Sequence, residues 1–99
     1  MKIKTIDVNA KEWFDKVNGN SYFSTNVTIN YGMKNQTGFK IPMEYGYGDH
    51  YRDVAFKELI KRGFIKNVNG SSHWQYYLDH NIIARHNKQE NCLKRDLNR

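Results

Sequence analysis

From Ser21 the chain alternates strictly. Phe23, Thr25, Val27, Ile29 and Tyr31 fall on one face of an extended segment, and Tyr22, Ser24, Asn26, Thr28 and Asn30 fall on the other. A period of two is what a strand covered on one side requires. Beyond the glycine-bounded connection GMKNQTG (32–38), Phe39, Ile41, Met43 and Tyr45 repeat the alternation, which predicts an antiparallel hairpin over about 21–45. Pro42 has no N–H to give a ladder, so this second strand is expected at a sheet edge or at the start of a bend. Edges accept further strands, and a homodimer through this one is therefore an expectation alongside a hetero-complex.

Around the hairpin the signals change period. Lys2 to Val8 alternates loosely and suggests a short strand, while 10–17 (AKEWFDKV) reads as either a helical turn or a strand entering the turn NGN at 18–20. Gly46, Tyr47 and Gly48 end the hairpin, with Tyr45 and Tyr47 as aromatic anchors of a tight bend. Asp49 is placed to cap a helix over about 49–62, and Gly63 to stop it. Tyr51, Val54, Ala55, Phe56, Leu59 and Ile60 cover a broad arc of that helix, wide enough to meet both a sheet and another helix. Phe64 and Ile65 suggest a short strand before the loop NVNGSS (67–72). A second helix over about 73–80, capped by Ser72, is expected to turn Trp74, Tyr77 and Leu78 inward. Ile82 to His86 reads as a strand, and Asn87 with Glu90 three residues later as a capping box for a last helix over about 88–97 carrying Leu93 and Leu97. The expected architecture is α+β: a small antiparallel sheet against two to three helices.

Length and composition narrow the class. Ninety-nine residues suffice for one domain, 1–99. No apolar run nears the roughly 18 residues of a bilayer span. The start, MKIKTIDVNA, carries no secretory pattern, so no membrane partner is expected. A single cysteine, Cys92, excludes an internal disulfide framework and suits a reducing compartment. The net charge of +6 is compatible with nucleic acid or an acidic protein surface, although enrichment in Lys, Asn, Ile and Tyr, all with A/T-rich codons, accounts for part of it.

The runs NSYFSTNVTINYG, FKIPMEYGYGDHY and NKQENCLKRDL resemble short accessory proteins encoded by phages and prophages of low-GC bacteria, with YGYGDHY the most distinctive segment. The resemblance covers most of the chain. It implies a mobile-element gene expressed in the cytoplasm of a bacterial host, and proteins that inhibit host defence or regulate host machinery. It carries no catalytic or binding residue onto this chain.

Reaction centres are not legible. The GYG–Asp49 junction lacks a full phosphate-binding fingerprint and any Lys-Ser/Thr pair, and Asp49 would place a carboxylate where a phosphate should sit. His73, His80, His86 and Cys92 have no closely spaced ligand pair of the kind zinc sites use. Cys92 has no nucleophile motif around it and reads as a small apolar side chain beside Leu93. The acids mostly sit near bases along helices, as Asp53 does with Lys57. Neither cofactor, metal nor catalytic residue is expected, and the chain reads as non-enzymatic.

Contact residues are legible. His73, Tyr76 and His80 form an expected outer stripe on the second helix, suited to stacking on bases or anchoring a protein. Lys94 and Arg95, with Asn91 and Asn98 and backed by Arg85, Lys88 and Arg99, form an expected basic patch. Arg52 falls inside the apolar arc, where it snorkels, pairs with a buried carboxylate, or points into a groove. The leading expectation is a protein that binds and inhibits a host macromolecule by occlusion, in the manner of an anti-CRISPR protein covering a defence or nucleic-acid-handling complex. The alternative is a direct binder of single-stranded DNA or RNA.

Overall fold

The computed structural model describes residues 2–46, 48–67 and 69–98, the side chain of Asn98 excepted. Tyr47, one of the two expected anchors of the bend, and Arg99, part of the expected basic patch, lie outside the described residues. The fold is α+β. Strands β1 (Thr5–Asp15), β2 (Asn20–Ile29) and β3 (Thr37–Tyr45) are followed by helices α1 (His50–Lys61) and α2 (His73–Asp79), strand β4 (Ile83–Gln89) and a 3-10 turn, Lys94–Asn98.

The sheet order is β3-β2-β1-β4. β1–β2 and β2–β3 are antiparallel, whereas β4 returns parallel to β1, so the sheet is mixed where the sequence predicts an antiparallel one. Parallel pairing needs a long crossover, and the segment holding α1 and α2 supplies it. The ambiguity at 10–17 resolves as strand: β1 runs unbroken to Asp15, pairing through Trp13↔Tyr22 and Asp15↔Asn20. Its turn is held by the Asp15 carboxylate, which accepts from the Val17 N–H (3.0 Å) and the Asn18 amide (2.8 Å).

Alternation divides the sheet into two unlike faces. Ile6, Val8 and Ala10 of β1 and Phe23, Thr25, Val27 and Ile29 of β2 point to one side and are buried, together with Ile41 of β3. Tyr51, Ala55, Phe56 and Leu59 of α1 and Tyr76 and Tyr77 of α2 close this core. The predicted arc of α1 thus holds, apart from the half-exposed Val54 and Ile60 at its margins. Gly63, at φ +81°, ends α1 as expected. The Phe64 and Ile65 N–H groups then both reach the Leu59 carbonyl (3.0 and 3.4 Å), so 64–65 wrap the helix end and form no strand.

Three further expectations are corrected. A bulge interrupts β3: Thr25 pairs with Ile41 but Phe23 with Glu44, so β3 advances three residues while β2 advances two. Pro42 lies within the slip, on the edge strand the sequence predicts. The slip reverses parity, and Tyr45 leaves the face of Ile41 for the opposite one. The helix expected over 88–97 is absent because β4 continues through Asn87↔Asn9 and Gln89↔Lys11, which removes Asn87 from any capping position. Beyond Gln89 the chain is irregular as far as the 3-10 turn, which crosses the second face of the sheet, and Leu97 and Cys92 are buried there. Tyr31, finally, is exposed, because β2 ends at Ile29 and Asn30 (φ +55°) turns the chain out of the strand.

Asn30 is the polar plug of the sheet. Fully buried, it accepts from the N–H groups of Lys4 (2.7 Å) and Thr5 (3.2 Å) and donates to the Lys2 carbonyl (2.9 Å) and to Asn35 (3.2 Å). Alanine would orphan these groups and adopt a left-handed backbone less readily. Asn30→Ala is therefore expected to lower stability by about 2–4 kcal/mol in urea unfolding. Tyr31→Ala, one residue on and exposed, should change it by less than about 0.5 kcal/mol.

Candidate functional site

α2 has seven residues and packs between α1 and β4, and its orientation is set by Phe56. The Phe56 ring meets Tyr76, Tyr77 and His73 with centroids 5.6, 5.7 and 6.3 Å away, all edge-on or nearly so. The inner face of the helix is consequently His73–Tyr76–Tyr77. Trp74 and Leu78, expected inside, stand 62% and 68% exposed. Apolar ranking puts Trp and Leu inward, but the aromatic surface of α1 selects the Tyr and His side.

Between α1, α2 and β4 lies an open cleft of about 290 Å³, lined by Arg52, His73, Trp74, Tyr77, Leu78, Ile82, Ala84 and His86. Its floor is polar but uncharged at neutral pH. The His73 and His86 rings are 5.8 Å apart, and Tyr77 lies 6.3 and 6.2 Å from them. His73 Nδ1, His86 Nε2 and Tyr77 Oη are sealed from solvent and have no hydrogen-bond partner among the described residues. Burial pushes His86 down to about 4, with the nearby Arg52 and His73 adding to the effect and Asp49 opposing it. Burial likewise lowers His73, against an opposing pull from Asp53. Burial also raises the Tyr77 phenol, which stays protonated.

Arg52 brings the positive charge of the lining. It donates from Nε to the Tyr51 hydroxyl (3.3 Å) and sits 3.7 Å from the exposed Asp49 carboxylate. Asp49 makes no side-chain cap on α1, and this loose ion pair is where it is engaged. Arg52 thus lines the groove, and the carboxylate it meets is exposed and not buried.

The other expected contact residues do not converge. His80 stacks on the buried Tyr76 (4.0 Å, 18°), its Nδ1 lying 2.9 Å from the Tyr76 carbonyl, and these two line a different depression with Ile3 and Phe64. The stripe is thereby split, with only His73 reaching the cleft. Nor do the cations form one patch. Arg85 grips Asp7 through two hydrogen bonds (2.5 and 2.9 Å). Lys88 lies on the helix side, 14% exposed, bonded to the Gly48 carbonyl (2.9 Å) and 3.3 Å from Glu12. Lys94 and Arg95 are exposed on the 3-10 turn, with Lys94 Nζ 5.5 Å from the Trp13 ring centroid. Sequence reasoning missed Trp74 and His86 as lining residues. Alternation in β4 was the available signal for His86, since Ala84, His86 and Lys88 share the helix side.

No protein-family model matches the chain, and no curated protein or solved structure is significantly similar to it.

The floor of the cleft makes a prediction about acid. His86 titrates near 6.5 when unfolded and near 4 when folded, so the unfolded chain binds the proton first as pH falls. Stability should be full above about pH 6.5 and decline as pH falls toward about 4. In urea titrations across this range, His86→Leu should show a clearly shallower decline than the parent chain.

Proposed function

We propose that this is a non-enzymatic binding protein that covers a surface of a host protein with α2, the adjoining cleft and its rim. The observation that carries the reading is the exposure of Trp74 and Leu78, one helical turn apart, beside Arg52 on a helix whose other side is packed. Trp and Arg dominate the energetics of protein interfaces, where they fill desolvated pockets, and large exposed apolar groups rimming a cleft mark such surfaces. The cleft offers neutral imidazoles and a protonated phenol with no paired carboxylate or activated nucleophile in its lining, an arrangement better suited to contact than to proton transfer.

The resemblance to phage and prophage accessory proteins supplies the setting: the cytoplasm of a bacterial host, and a defence or nucleic-acid-handling complex as target. The mechanism is occlusion, in the manner of an anti-CRISPR protein. No helix among the described residues is long and apolar enough to cross a membrane.

Affinity purification of the tagged protein from expressing cells, with and without nuclease, tests this. The chain should retain one stoichiometric, nuclease-resistant protein. Trp74→Ala combined with Leu78→Ala should weaken that complex at least about tenfold while leaving the circular dichroism unchanged. Recovery of nucleic acid alone, or equal recovery by the variant, would overturn the reading.

A further inference from the structure

The second face of the sheet carries a row of rings. Trp13 of β1, Tyr22 of β2 and Tyr45 of β3 are successive cross-strand partners, Trp13↔Tyr22 and Tyr22↔Tyr45. Trp13 and Tyr22 stack at 5.7 Å and 24°, and Tyr45 meets Tyr22 edge-on at 5.8 Å and 78°. None of the three belongs to the hydrophobic core, and Tyr45 is 59% exposed. Tyr45 joins the row only because of the bulge at Pro42, which moves it off the helix side. A bulge that re-aims a side chain in this way is a recurrent device at functional edges.

Cations adjoin the row. Lys94 lies over Trp13, Arg95 is next in the chain, and Lys11 stands on the same side of β1 as Trp13. Carboxylates stand nearby as well: Asp15 holds the Val17 and Asn18 amides and feels the Lys94 charge, and Asp96 accepts from the Leu93 N–H (2.9 Å). Further along the same face Asn9 pairs with Asn26 on one side and Asn87 on the other, giving a band of amides that can hydrogen-bond base edges.

We propose that this face binds single-stranded nucleic acid. Bases would stack on Tyr45 with Tyr22 and Trp13 behind it, and phosphates would lie against Lys94, Arg95 and Lys11. Every base has a π-face, so rings held in a row on a rigid sheet recognise a single strand without reading its sequence, while lysines along the row meet the backbone charge. A duplex hides its base faces and gains only the electrostatic part. The proposal is independent of the α2 cleft, which lies on the other side of the sheet.

Fluorescence anisotropy with labelled dT and rU oligonucleotides tests it and separates DNA from RNA. Both Tyr45→Ala and the double change Lys94→Gln with Arg95→Gln should weaken binding. The first should do so roughly tenfold with the salt slope unchanged, and Tyr45→Trp should restore it. The double change should lower the slope by about 0.7 for each phosphate contact removed. Thermal melts of each variant should match the parent chain, since Tyr45, Lys94 and Arg95 are exposed. Trp74→Ala should bind as the parent does. No binding, equal binding of duplex or of polyglutamate, or indifference to Tyr45→Ala would overturn the proposal.

Discussion

The rest of the molecule depends on the pairing of β1 along both of its edges. Flanked by β2 and β4, it places Ile6 and Val8 at zero exposure beneath the helices. The same strand sends Asp7, Asn9, Lys11 and Trp13 to the opposite side. Because side chains alternate with a period of two, one slip of β1 would exchange the two sets, so burial of the aliphatic set fixes what the other face presents. Apolar area removed from water, at about 25 cal/mol per Å², is what makes this register unique. The polar face inherits its arrangement without contributing much to that choice.

This constraint produces two surfaces of different chemistry. On the helix side, α1 and α2 leave an open cleft with an uncharged polar floor and a rim of Trp74, Leu78 and Arg52. On the other side, rings, amides and lysines lie across the four strands, partly roofed by the 3-10 turn that buries Leu97. A sheet between the two keeps them mechanically separate, so a partner on one face need not disturb the other.

Much of the fold was legible in the sequence because it rests on local periodicity. The β2–β3 hairpin, the edge placement of the Pro42 strand and the stop of α1 at Gly63 are all determined by residues close together in the chain. What escaped was set by distant partners. The strand character of 10–15 is fixed by pairing on both edges, with Asn20–Thr25 across the turn and with Lys88–Gln89 far along the chain. β4 continues past His86 because β1 is there to pair with it, and this overrides a reasonable capping box at Asn87. α2 turned because of Phe56, a residue of another helix, so its expected contact stripe was drawn on the wrong side. Of the eight contact residues expected, Arg52 and His73 share the cleft, while Arg85, Lys94 and Arg95 lie on the other face. The ring row depended on a bulge that alternation alone cannot reveal.

The two tryptophans give a direct test of the two-face account, because Trp13 belongs to one surface and Trp74 to the other. In a 15N-labelled sample each indole N–H gives its own resonance, assignable by single substitution. Titration with a short dT strand is predicted to shift the Trp13 indole together with the amides around Tyr22, Tyr45 and Lys94, and to leave the Trp74 indole and the Leu78 amide in place. Shifts centred on Trp74, or equal movement of both indoles, would contradict it.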